Sequence, residues 1–207
     1  MKTPHEMPST NSDDRSRLKD ILVRASLSME GSFTLHSGEK SGVYVDAKLT
    51  TFSPEAMPLV GRLVLNKIKE CGWHPSAVGG LTLGADPIAF AVARESLETS
   101  ETIRAFVVRK EPKKHGKQKF IEGLEQIENQ NVVILDDVCT KGDSTKQAID
   151  KAEEAGMRVI GAVCLVDRES GATELLAQKG IRLAPIFTLR ELIAYREEIA
   201  LEHTHSR

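Results

Sequence analysis

Apolar and polar positions along this chain fall into blocks that switch between helical and extended spacing. In residues 15–29, Leu18, Ile21, Leu22 and Ala25 recur at helical intervals behind a start signal at Ser12, Asp13 and Asp14, predicting an amphipathic first helix. Residues 31–51, GSFTLHSGEKSGVYVDAKLTT, set short extended runs between Ser-Gly turns and predict strand, turn, strand. Residues 54–71 predict a second helix, with Leu59, Leu63 and Ile68 among its apolar positions and Gly72 as its stop. Beyond it, apolar runs at 76–81, 103–108, 132–135, 159–166 and 181–187 predict strands, alternating with helices near 84–95, 143–155, 171–178 and 188–199. Strands that are apolar throughout are buried on both faces. The expected fold is therefore α/β, a mainly parallel central sheet flanked by helices.

One stretch carries more than a fold. In NVVILDDVCTKGDSTKQA, residues 131–148, an apolar run meets Asp136 and Asp137, then a polar turn with Thr140, Gly142, Ser144 and Thr145, then a helix-forming sequence. Strand, turn and helix in that order place the two acids at the carboxyl edge of the sheet, where open α/β folds bind ligands. The turn offers backbone N–H groups, a glycine for close approach, and a helix N-terminus that favours an anion. It reads as a phosphate cradle. The carboxylates would repel phosphate and suit ribose hydroxyls or a magnesium ion. A plainer reading stays open, in which the acids end a strand and Ser144 or Thr145 caps a helix. Other phosphate motifs fit less well. Residues 79–84 hold two glycines five apart, but Ala85 and Asp86 stand where a Walker A loop needs Lys and Ser or Thr, and no GxGxxG opens a helix.

Length and composition narrow the classes. A chain of 207 residues can fill one core, and one domain is expected over 13–207 behind a mobile tail at 1–12. A formal charge of -2 gives no overall attraction to nucleic acid or acidic membrane, and 4% aromatic residues leave little for base stacking. Cys71, Cys139 and Cys164 are widely spaced and form no CxxC pair, which suggests reduced thiols rather than disulfides or zinc. No apolar run reaches the roughly 18 residues of a membrane span, and MKTPHEMPSTNSDDR lacks a secretion signal's hydrophobic region. The expectation is a soluble cytoplasmic protein.

Charge is concentrated in one place. RKEPKKHGKQK, residues 109–119, holds six of the chain's 28 Lys and Arg residues and one acid, Glu111. Pro112 and Gly116 oppose a regular helix, and connections beyond about 12 residues in a compact domain are usually functional or disordered. A cationic lid over a polyanionic substrate would use such a loop. A solvated basic loop, or a nucleic-acid contact, is the alternative. The missing aromatic interleaving makes nucleic acid the poorer fit. His36, Tyr44, Asp46 and Lys48 in the N-terminal extended segment carry little weight alone, since a lone His or Lys is more often solvated than bound to a ligand.

Together these residues resemble the type I phosphoribosyltransferases. VVILDDVCTKGDST is similar to that family's motif for phosphoribosyl pyrophosphate (PRPP), and RKEPKKHG resembles the catalytic loop of the orotate phosphoribosyltransferases in particular. FTLHSG with VYVDAK, and VDRESG at 166–171, add to the likeness, which covers residues 15–200. The resemblance implies a phosphoribosyltransferase fold with a small hood built mainly from 13–52 over a core of about 53–200. It implies transfer of ribose 5-phosphate from PRPP to orotate, with Mg²⁺ bound mainly through PRPP, in a homodimer whose loop covers the partner's site.

By position the resemblance assigns PRPP to Asp136, Asp137, Val138, Cys139, Thr140, Lys141, Gly142, Asp143 and Ser144, to Arg109, Lys110, Lys113 and His115, and to Thr82 and Leu83. Residues 140–144 would hold the 5-phosphate and the acids the ribose hydroxyls. Lys113, Asp136 and Asp137 would be the catalytic groups, and Arg168, Thr140, Tyr44 and Val45 would meet orotate. The peptide between Leu81 and Thr82 is the one the likeness marks for a cis bond. The chain departs from the pattern at His36, where many members have Lys, and at Thr82 and Leu83, where some have Tyr-Lys; Lys48 or Lys40 could supply the missing charge. Lys141 is an unusual cation for the phosphate loop. A purine or other pyrimidine phosphoribosyltransferase, or a PRPP sensor without catalysis, would share the PRPP motif and differ in the need for RKEPKKHG.

Overall fold

The computed structural model describes residues 11–29, 33–34, 40–112 and 120–205. Helix α1 (Asn11–Ala25) buries Leu18, Leu22 and Val23, and also Asp14, which Arg62 holds at 2.7 Å. It opens one residue before the expected start. It also ends short of Met29, because Leu27 and Ser28 leave it as strand β1 (Leu27–Ser28). Two small antiparallel pairs follow: β2 (Phe33–Thr34) with β3 (Lys40–Ser41), and β1 with β4 (Tyr44–Val45). The expected extended character of this segment is present, but residues 48–51 turn helical as α2 (Lys48–Thr51). Ser26 and Thr50 share a buried hydroxyl contact of 2.7 Å that fixes this turn against the end of α1.

The rest alternates as the pattern predicts: α3 (Met57–Glu70), β5 (Ala77–Leu81), α4 (Asp86–Ser96), β6 (Arg104–Val108), β7 (Ile121–Glu122), β8 (Asn131–Cys139), α5 (Asp143–Glu154), β9 (Arg158–Asp167), α6 (Ala172–Ala177), β10 (Leu183–Thr188) and α7 (Leu189–His205). The strands order as β10–β9–β8–β5–β6–β7, parallel throughout except for β7, a two-residue edge strand antiparallel to β6. Side chains of β8 divide between the faces with period two: Val133 and Leu135 join the core that includes α1, α3 and α4, while Val132 and Ile134 join the core under α5 and α6. Burial on both sides explains the unbroken apolar runs. Each such side chain contributes roughly 1.5–3 kcal/mol when taken from water.

The strand order reverses between β5 and β8. From β5 the chain proceeds outward to β6 and β7, then returns past β5 to lay down β8, β9 and β10 on the other side. Loops leaving the carboxyl ends of β5 and β8 therefore diverge and leave a crevice between them, the usual ligand position in open α/β sheets.

Candidate functional site

Backbone contacts gather four loops at this crevice. Thr82 N–H donates to the Val108 carbonyl at 2.9 Å, setting the loop after β5 beside the exit of β6. Arg168 N–H donates to the Cys139 carbonyl at 2.8 Å, joining the loop after β9 to the end of β8. The N-terminal segment closes a further side, with Arg168 Nη2 donating to the Val43 carbonyl at 3.2 Å and Lys48 Nζ lying 3.5 Å from Asp137 Oδ2.

The acid pair does not end its strand, since β8 runs on to Cys139. The two carboxylates face different surroundings. Asp136 is buried, and its Oδ2 accepts from Thr145 Oγ1 at 2.6 Å and Ser144 Oγ at 3.0 Å, while Oδ1 accepts from the Asp137 N–H at 3.0 Å. Burial, and then the neighbouring Asp137 carboxylate, push the Asp136 carboxyl up to about 7 against the pull of the two hydroxyls. Asp137 is more open. Its Oδ1 accepts from the Val138 N–H at 2.9 Å, and its Oδ2 faces Lys48. Burial weakens the Lys48 ammonium, but Asp137 and Asp46 together hold its pKa above the ordinary value. Gly84 is what lets the loop after β5 come so near: a Cβ there would collide with Asp137 Oδ1.

The turn after β8 has the geometry of an anion cradle. Gly142 is the N-cap of α5 with φ 85°, and a Cβ on it would meet Ala172 Cα at 3.1 Å, so the left-handed turn and the close seat on α6 both suit glycine. Neither Ser144 nor Thr145 caps the helix. Both hydroxyls point back to Asp136, and Thr145 Oγ1 also lies 3.1 Å from Cys139 Sγ. The first-turn N–H groups of the 12-residue helix α5 thus supply the anion-binding character, and the hydroxyls brace the turn from beneath.

At the exit of β6, Arg109 directs Nε to the Glu111 carbonyl at 3.2 Å and Nη1 toward Glu122 at 3.6 Å, and Lys110 is exposed. Lys113, His115 and His36 lie outside the described residues. Thr82 donates its hydroxyl to Asp86 at 2.6 Å, Leu83 is exposed, and the peptide joining them is cis, one bond later than the Leu81–Thr82 peptide marked in the sequence. Tyr44 is exposed near Arg168's partner Val43, whereas Val45 is in the core and has only its backbone to offer a ligand. Burial lowers the pKa of Arg168, whose planar guanidinium is partly withdrawn from water. Among the described residues, no group of three or more His, Cys, Asp or Glu forms a metal cage. With the oxygens of Asp136 engaged, the donor set fits a magnesium ion that takes its ligands chiefly from a substrate's diphosphate and water.

Spacing along the chain gives no sign that Gly84 lies against Asp137 or that Thr145 is buried against Asp136. The proximity of Gly84 to the acid pair depends on the pairing of β5 with β8, which local spacing does not encode.

Comparisons with known proteins point the same way. Residues 52–180 match the family model described as the phosphoribosyl transferase domain. The orotate phosphoribosyltransferase of Aquifex aeolicus is 44% identical over 182 residues, 87% of this chain and 98% of the relative. That of Nostoc sp. is 37% identical over 185 residues, 89% of this chain and 88% of the relative. The crystal structure of the Mycobacterium tuberculosis orotate phosphoribosyltransferase in complex with PRPP superposes with a TM-score of 0.70 at 35% identity, covering 86% of this chain and 98% of that one. The adenine phosphoribosyltransferase of Leishmania tarentolae, at 15% identity and a TM-score of 0.59, shares the fold.

Proposed function

We propose a function from one premise: the chain belongs to the phosphoribosyltransferase family, and within it to the orotate phosphoribosyltransferases. It transfers ribose 5-phosphate from PRPP to N1 of orotate, giving orotidine 5′-monophosphate and pyrophosphate, in pyrimidine biosynthesis. The observation that carries this reading is the convergence of the α5 cradle, the outward-facing Asp137 and the Arg168 guanidinium at one sheet edge.

Each group has work suited to its chemistry. Backbone N–H groups over residues 140–144 hold the 5-phosphate, where the α5 dipole favours negative charge. Asp137 accepts from the ribose hydroxyls, while Asp136 behind it fixes the turn through Ser144 and Thr145. Arg168 offers paired N–H donors to the orotate carboxylate, beside Thr140, Tyr44 and the Val45 backbone. As the bond from the anomeric carbon to pyrophosphate breaks, positive charge develops on the ribose and negative charge on the leaving group. Arg109 and Lys110 stabilise that departing charge, joined by Lys113 and His115 on the strength of their place in RKEPKKHG. Magnesium, bound through PRPP, supplies further neutralisation of the pyrophosphate. Exclusion of water protects the cationic ribose from hydrolysis.

The active unit is a homodimer. Phe90, exposed on α4, and Leu97, the exposed residue that caps the same helix, lie two turns apart and leave apolar surface that a second copy would cover. The three free cysteines suit a reducing cytoplasm. An acceptor panel tests the specificity: with PRPP and Mg²⁺, orotate should be consumed and adenine, hypoxanthine and uracil left unchanged. Turnover of one of those three in preference to orotate would assign the chain to another branch of the family.

A further inference from the structure

One ammonium with no part in the chemistry above holds both stems of the basic segment. Lys151, on α5, donates Nζ to the carbonyls of Arg109 and Lys110, each at 2.9 Å, and the same nitrogen sits 4.1 Å from the centroid of the Phe120 ring. Arg109 N–H in turn donates to the Phe120 carbonyl at 2.8 Å, closing the neck between the outgoing and returning strands. Burial lowers the Lys151 pKa, a sign that the ammonium has given up water for these carbonyls and the ring. Val108 is fixed within the sheet by its pairing with β5, but the chain beyond it is joined to α5 through this side chain.

The helix chosen for this anchorage is the one whose N-terminus forms the cradle. Ser144 and Lys151 are seven residues apart on α5, about two turns and roughly 10 Å along a rigid axis. We infer that Lys151 is a positioning residue, setting the Arg109–Lys110 stem at a fixed distance from the 140–144 turn so that one substrate can bridge a phosphate site and a diphosphate site. This rests on the proposed function, since the two ends of PRPP are what make the distance matter. A tie that merely stabilised the fold would have no preference for one end of the ligand.

Titration calorimetry on wild type and Lys151→Met separates the cases, with PRPP, inorganic pyrophosphate and ribose 5-phosphate as probes in the presence of Mg²⁺. Methionine keeps an apolar stem over Phe120 and removes the donors. The expected result is a loss of about 5- to 20-fold in affinity for pyrophosphate and, in steady-state assays, a rise of the same size in KM for PRPP, with ribose 5-phosphate affinity and KM for orotate within twofold of wild type. Lys151→Arg, which restores two donors and can stack on the ring, should recover most of the loss. Unchanged pyrophosphate affinity in Lys151→Met, or an equal fall for pyrophosphate and ribose 5-phosphate, would overturn the positioning role while wild-type transfer activity stands. Absence of PRPP binding by wild type would instead overturn the functional reading and this inference with it.

Discussion

Thr145 donates its hydroxyl to Asp136 across 2.6 Å, between two residues that are almost sealed from solvent. The bond ties the first turn of α5 to the end of β8 beneath the cradle, so the turn's shape depends on a buried contact rather than on an exposed cap. Thr145→Val keeps the volume and removes a donor from a buried carboxyl. It should cost roughly 1–3 kcal/mol of stability, read from urea unfolding, with Thr145→Ser closer to wild type. Equal stability of the valine variant and wild type would show that the contact does not brace the turn.

The raised pKa of Asp136 has a sign that can be checked. Its carboxyl titrates near 3.8 when unfolded and at about 7 in the folded protein, so the native state holds the proton more tightly. The contribution to stability is full below the unfolded value, declines as pH rises through the interval between the two, and levels off above the folded value. Asp136→Asn removes this group. Between pH 5 and 8 the stability of wild type relative to Asp136→Asn should fall with rising pH. A difference that is flat or rises over that interval would contradict the raised value.

Gly84→Ala should separate activity from stability. The new Cβ would meet the Asp137 carboxylate, the end of a side chain able to rotate, rather than rigid backbone. The fold should survive at a cost of about 1–3 kcal/mol, while the displaced Asp137 loses its contacts with the Val138 N–H and Lys48 and transfer activity falls by more than tenfold. Activity retained at the wild-type level would place Asp137 outside the reaction.

Lys48 provides a positive charge next to Asp137, 3.5 Å from its carboxylate. The pair is partly exposed, so Lys48→Met should alter stability by less than about 1 kcal/mol. With the cation gone, the acid pair repels a phosphate-rich substrate more strongly. KM for PRPP should rise about 3- to 10-fold at low salt, and the ratio to wild type should shrink as added salt screens the charges. A KM that does not move at low salt would exclude Lys48 from substrate binding.

The alternating apolar blocks made the sheet and its main helices legible because burial on both faces leaves long uninterrupted runs, as in Val132–Ile134 with Leu135. Shorter elements were not. Residues 48–51 carry two threonines and read as extended, yet a single helical turn forms there under the tie between Ser26 and Thr50. Strand β7 spans two residues, too few for any period to show. At the site, DDVCTKGDST disclosed the cradle and the acids, whereas the division of labour between Asp136 and Asp137 depends on burial. The grip of Lys151 on Arg109 and Lys110 joins positions about forty residues apart and follows from tertiary packing.

The most direct measurement of the central claim is product stoichiometry with purified protein, PRPP, orotate and Mg²⁺. The account predicts that orotate absorbance falls while orotidine 5′-monophosphate and pyrophosphate appear in equal amounts, and that omitting PRPP stops the reaction. Orotate left unconsumed under these conditions, or pyrophosphate released without formation of the nucleotide, would contradict it.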